Sequence, residues 1–207
     1  MGQLIRRKDW GARPPSGSYS TVHATGLGTV HYTASPITRA GRKKASPPER
    51  PGKKWYELWR NPLTPVVQRR RISRLITAYN RGKAGAGGTV PASITAQERQ
   101  IMRGFQSFHQ GPARGWVDIG YHRVIFASGN IYEGRPRGVY GAHANGANDT
   151  IGYAFVMGDG DKPTAYMLAA FREQIARDGV TSYTGHRQRP GNSTSCPGAA
   201  LTAALNL

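Results

Sequence analysis

Cys196 is the only cysteine in the 207-residue chain, and it stands ten positions after His186 in the stretch GHRQRPGNSTSCPG, residues 185–198. Histidine and cysteine are the usual ligands of zinc, and a catalytic zinc takes three protein ligands and leaves one position open for water. His186 and Cys196 form one candidate pair. Their spacing is wider than a zinc-finger knuckle, so on spacing alone a buried, inert thiol is the simpler reading. A lone cysteine also excludes an internal disulfide, which leaves packing, with or without a metal, to hold the fold.

The elements that must position these residues are legible from periodicity. GTVHYT, residues 28–33, alternates and is rich in β-formers, which predicts a strand with His31 near its C-terminal end. ITAQERQIMRGFQSFHQG predicts a helix in which Thr95 and Glu98 make a capping box, Ile101, Phe105 and Phe108 form the apolar face, and Gly111 gives the stop. YHRVIFASGNIYEG reads as a hairpin turning at Ser128-Gly129, and IGYAFVMG as a buried strand. TAYMLAAFREQIARDG predicts a helix with Leu168, Phe171 and Ile175 inward and Gly179 at its end, and GAALTAALNL a short final helix. Strands mixed with helices and without an internal repeat give an α/β domain whose sheet is mainly buried. A hydrophobic fraction of 38% supplies the core for one such unit.

Charge is distributed unevenly. Of the net +18, the segment 36–85 carries +12, with 14 basic residues against 2 acidic ones. Its first part is rich in Pro, Gly and charge and reads as an irregular loop. In VVQRRRISRLITAYN, Ile72, Leu75, Ile76 and Tyr79 fall at helical spacing with arginines on the other faces, and a Gly-rich return follows. Residues 36–92 therefore read as a basic, partly helical insertion that attracts a polyanion. Trp55, Tyr56 and Trp59 accompany the basic run, but no recognised nucleic-acid motif does, which disfavours nucleic acid as the partner. The N-terminus has no apolar run of the length an export signal or membrane span needs, so the expectation is a soluble chain made without its own signal.

Six blocks occur in a familiar order: VHYTAS (30–35), GWVDIGYH (115–122), IYEGR (131–135), GAHANGAN (141–148), IGYAFVMG (151–158) and GH followed by TSCPG (185–198). With RRKDWGARPP near the N-terminus, they resemble the zinc-dependent N-acetylmuramoyl-L-alanine amidases of the phage endolysin and peptidoglycan-recognition type. The resemblance spans nearly everything outside residues 36–92. It implies one amidase catalytic domain over residues 1–207, built as a mixed central β-sheet flanked by helices with the metal in a cleft.

Residue by residue, the resemblance implies His31, His186 and Cys196 as ligands of Zn2+, which leave the fourth position open. It implies Tyr121 as the active-site tyrosine beside the reacting water, and Thr194 as a supporting hydroxyl where phage relatives often carry lysine. His143 and Asn148 in GAHANGAN correspond to residues of the substrate cleft. Ala154 stands where some relatives place a catalytic glutamate, which puts more of the proton handling on Tyr121 and the metal. His122 is expected to face away from Tyr121 in a structural role, and His109 to be structural at its helix end.

The implied reaction is hydrolysis of the amide between N-acetylmuramic acid and L-alanine in bacterial peptidoglycan, with anionic wall polymers engaged through the basic insertion. The implied setting is an endolysin made in the bacterial cytoplasm and acting on the wall after release. A non-catalytic peptidoglycan-binding module is the alternative, and the presence of Cys196 argues against it.

Overall fold

The computed structural model describes residues 3–23, 25–34, 90, 92–158 and 161–207. Its strands are Leu4–Ile5 (β1), Leu27–Tyr32 (β2), Arg123–Ile125 (β3), Ile131–Glu133 (β4), Ile151–Phe155 (β5) and Ser182–Gly185 (β6). Among the described residues they form a six-stranded sheet in the order β1-β4-β3-β5-β2-β6. The β3–β4 hairpin is antiparallel and the other neighbours run parallel. Helices occupy Arg7–Trp10 (α1), Ala92–Gln110 (α2), Ala165–Arg177 (α3) and Ala199–Leu205 (α4). The mixed sheet flanked by helices is the expected architecture. The basic loop, its arginine-rich helix and the three aromatics lie outside the described residues.

The sheet separates two apolar clusters because side chains alternate along each strand. Val30, Ile125, Tyr153 and Phe155 face Met167 and Phe171 of α3 and Leu201 and Leu205 of α4. Val124, Tyr132 and Ala154 face the other way, onto Trp10 of α1 and Met102 and Phe105 of α2. Every residue of β5 is buried, as its unbroken apolar run requires of a strand covered on both faces. α3 starts where Thr164 accepts a hydrogen bond from the Met167 N–H, a cap that contributes about 1 kcal/mol. Among the described residues, no helix is long and apolar enough to cross a membrane.

Two polar clusters fix the β3–β4 hairpin against the helices. Arg123 donates through Nε and Nη2 to both oxygens of Asp178 at 3.1 and 2.6 Å, and the Tyr153 hydroxyl donates to the same carboxylate at 2.9 Å. On the other face, the predicted capping box does not form. α2 begins at Ala92, which puts Thr95 and Glu98 inside the helix and buries both. The Glu98 carboxylate instead accepts from Ser128, Asn130 and Tyr132 of the hairpin, at 2.5, 2.7 and 3.1 Å. Glu98 thus joins helix to hairpin where the sequence pattern suggested a terminus.

Burial outweighs those three donors and raises the Glu98 carboxyl from its ordinary 4.5 to about 7. The folded state therefore holds this proton more tightly than the unfolded chain. Its contribution to stability is full below pH 4.5 and is lost as pH rises toward 7, with a slope of up to about 1.4 kcal/mol per pH unit. Urea denaturation between pH 4.5 and 8 should show this slope in the stability difference between the parent protein and Glu98→Gln. That comparison cancels the opposite slope from the buried histidines, whose lowered imidazoles gain stability as pH rises toward 6.5.

Candidate metal centre

The three side chains singled out by type come from distant parts of the chain. His31 occupies the second-to-last position of β2, His186 opens the 3-10 turn that follows β6, and Cys196 lies in the loop before α4. β2 and β6 are parallel with Val30 opposite Gly185, so the two histidines leave their strands at the same level. His31 and Cys196 are buried and His186 is half-buried. Their ligand atoms lie within 4.8 Å of one another, a cluster found only here among the described residues. Cys196 Sγ stands 3.7 Å from His31 Nδ1. Ligands held 2.0–2.3 Å from one tetrahedral ion are spaced about 3.3–3.6 Å apart, so this pair already has nearly that separation.

The electrostatics fit a cation. Burial, followed by the neighbouring His143, His186 and Arg189 charges, holds His31 well below the usual imidazole range. Burial also lowers His186, opposed by its bond to Asn192. Both rings are consequently neutral at pH 7, as metal ligands must be. Burial pushes the Cys196 thiol up to about 12, although the Tyr32 N–H donates to its sulfur at 3.4 Å. A thiolate in this position therefore needs a positive ion beside it. Two neutral nitrogens and one potential thiolate are a zinc donor set, and with the ion they carry net +1.

The surrounding expected residues are distributed as follows. The Tyr121 ring packs 5.3 Å from His31 and 5.9 Å from His109, measured between centroids. Burial, reinforced by Cys196, raises its phenol, so the hydroxyl keeps its proton at neutral pH. Thr194 Oγ1 accepts from the Cys196 N–H at 3.1 Å and retains its own proton for donation. Ala154 is the register partner of His31 and is fully buried, bringing no proton donor to that side. Asn148 accepts through Oδ1 from the His143 and Ala144 N–H groups, at 2.7 and 3.0 Å, so this oxygen folds the 143–148 loop.

His143 sits behind His31, with Nδ1 3.1 Å from His31 Nε2 and Nε2 3.1 Å from the Thr150 carbonyl. Both ring nitrogens are engaged within the protein. His122 does the same with the Gly152 N–H and the Val139 carbonyl, and His109 accepts from the Gly120 N–H while stacking on Trp116. The sequence reading missed Asn192, whose Oδ1 lies 2.9 Å from His186 Nε2. The available signal was a polar amide lodged between two candidate ligands six residues after the histidine.

No family profile matches the chain. Among curated proteins, it is 40% identical over 114 residues to Drosophila melanogaster peptidoglycan-recognition protein LB, covering 51% of this chain and 48% of that one. It is 35% identical over 130 residues to Drosophila simulans peptidoglycan-recognition protein SD, covering 58% and 67%. It is 36% identical over 110 residues to the mouse N-acetylmuramoyl-L-alanine amidase, covering 48% of this chain and 20% of the mouse protein. The chain thus spans about half of the LB protein and a fifth of the mouse amidase. The fold superposes on solved Drosophila PGRP-LB with a TM-score of 0.64 at 27% identity, covering 100% of this chain and 94% of that one. A PGRP-LB mutant solved in complex with tracheal cytotoxin superposes at 0.63 and 27% identity, covering 98% and 92%.

With the thiol near 12 and both imidazoles already neutral, one proton must leave for each zinc ion taken up above pH 7. Isothermal titration in buffers of different ionisation enthalpy should report release of one proton. The apparent affinity should rise about tenfold per pH unit between pH 7 and 9, and a flat profile would exclude the thiol as a ligand.

Proposed function

Because the chain belongs to the peptidoglycan-recognition protein family, we propose that it is a zinc-dependent N-acetylmuramoyl-L-alanine amidase. The reaction assigned to it is hydrolysis of the amide that joins the lactyl group of N-acetylmuramic acid to L-alanine in the stem peptide. The observation that carries this reading is the convergence of His31, His186 and Cys196 within 4.8 Å, with Tyr121 packed against His31. The mouse amidase supports the choice of bond, and the PGRP-LB complex with tracheal cytotoxin supports peptidoglycan as the polymer recognised.

His31, His186 and Cys196 would hold the ion. When bound, zinc supplies a Lewis acid that polarises the scissile carbonyl and acidifies water. Tyr121 keeps its proton in this buried setting and orients the attacking water by a hydrogen bond from its hydroxyl. Thr194 offers a second, uncharged donor near Cys196, suited to the oxyanion that develops on the carbonyl. Ala154 adds no carboxylate beside His31, which leaves Tyr121 as the protic side chain placed to orient the water.

The whole of residues 1–207 acts in this reading as one catalytic domain. The basic segment 36–92 docks it onto anionic wall polymers, a role supported by its share of the net +18. The setting we assign is a phage endolysin, made in the host cytoplasm and acting on the wall after release. A binding module without turnover is the competing reading, supported by the cytotoxin complex of the PGRP-LB mutant.

Digestion of purified peptidoglycan followed by mass spectrometry separates these readings. New L-alanine amino termini should appear, disappear with chelator and return with zinc. Cys196→Ser should lose turnover by at least about a thousandfold while keeping most of its affinity for soluble muropeptide, because the thiolate serves the metal and not the substrate. New reducing sugar ends, or wall binding without any cleavage, would overturn the amidase assignment.

A further inference from the structure

The loop 141–150 is linked to both candidate metal-binding histidines, to one directly and to the other through Asn192. His143 meets His31 directly. The same loop reaches His186 through Asn192, whose Oδ1 accepts from the Asn145 N–H at 3.0 Å and whose Nδ2 donates to the Asn145 carbonyl at 2.8 Å. Asn148 folds the loop between these contacts.

Proton positions follow from the partners. The Thr150 carbonyl can only accept, so His143 carries its proton on Nε2 and leaves Nδ1 bare. A bare Nδ1 can only accept, so the bond to His31 requires the His31 proton on Nε2. His31 Nδ1 is then a lone pair, and it is the atom that faces Cys196 Sγ. The second ring obeys the same logic. Asn192 Nδ2 faces the carbonyls of Asn145, Arg189 and Pro190, which fixes Oδ1 as the acceptor toward His186 Nε2. His186 must therefore hold its proton on Nε2 and present a bare Nδ1.

The His143 ring has been given a slot. A Cβ on Gly141 would lie 2.2 Å from His143 Cδ2, and one on Gly152 would lie 2.5 Å from the same atom. Real side chains do not approach that closely, so glycine at both positions is what admits the imidazole. The Gly152 N–H is itself held by His122 Nδ1 at 3.0 Å, which keeps that wall in place.

We propose that His143 and Asn192 are positioning residues, which fix His31 and His186 as Nε2–H tautomers so that both Nδ1 lone pairs converge beside Cys196. This assigns to His143 an orienting task where the resemblance implied contact with substrate. It rests on the metal reading given above, and it also makes a statement about the metal-free protein. The general effect is established: partners that donate to or accept from the distal nitrogen of a ligating histidine set its tautomer and direction, and their loss weakens metal binding by about 10–100-fold.

Nitrogen-15 spectra of the imidazoles in metal-free parent protein test the tautomers without any mutation. His31 and His186 should each show a protonated Nε2 and an unprotonated Nδ1, and a proton on Nδ1 of His31 would overturn the proposal. Zinc competition with a chromophoric chelator then tests the consequence. His143→Phe keeps a ring in the slot without either nitrogen, and Asn192→Ala removes the second acceptor. Each should bind zinc 10–100-fold more weakly, with His143→Asn, which keeps an acceptor near Nδ1, recovering part of the loss. Unchanged zinc affinity in folded His143→Phe and Asn192→Ala would also overturn it. A parent that shows both Nε2–H tautomers yet takes up no zinc would sink the metal assignment while leaving the orienting network intact.

Discussion

Three groups that bind a cation well are crowded into a largely buried space, and this is tolerable only if none of them is charged when the cation is away. Burial keeps both imidazoles deprotonated and the thiol protonated. A neutral cluster avoids the several kcal/mol that an unpaired buried charge costs. The remaining requirement is that every other polar atom of the cluster find a partner, and the Tyr32 N–H, His143 and Asn192 meet it. Much of the neighbouring structure serves to bring those partners into place.

The sheet makes the convergence possible. β5, β2 and β6 are adjacent and parallel, so their carboxyl ends gather on one side, where parallel sheets carry their ligand sites. His31 and His186 emerge from neighbouring strands at one level, and the chain then returns through Asn192 and Cys196 before α4. Alternation along β2 turns Val30 into one core and His31 toward the other face. A shift of one residue in the β2–β5 register would exchange them and dismantle the site.

Tyr121 depends on a different support. It precedes β3, and that strand is tied to the end of α3 by the Arg123–Asp178 pair and, through its hairpin, to α2 by Glu98. Arg123 and Asp178 satisfy one another with two hydrogen bonds, and Tyr153 adds a third, which is the arrangement that makes a buried ion pair sustainable. The Glu98 cluster is less balanced, since its carboxyl holds a proton up to about pH 7. The hairpin beside the site is therefore anchored on both faces by polar groups and not by apolar packing alone.

Much of the fold and the chemical composition of the site were determined by the sequence. Alternation located β2, an unbroken apolar run β5 and helical patterns α3 and α4, and the family resemblance carried by the blocks from VHYTAS to TSCPG singled out His31, His186, Cys196 and Tyr121 as a set. Local pattern failed at Thr95 and Glu98, because a capping box and a buried carboxylate inside a helix are written with the same letters. It also could not show what His143 and Asn192 touch. Those contacts join residues 112 positions apart in one case and depend in both on which face of a ring or amide meets which carbonyl. Residue type states that an imidazole can bind a metal through either nitrogen. Only the packed chain, by pairing one nitrogen with a fixed partner, decides which of the two remains free.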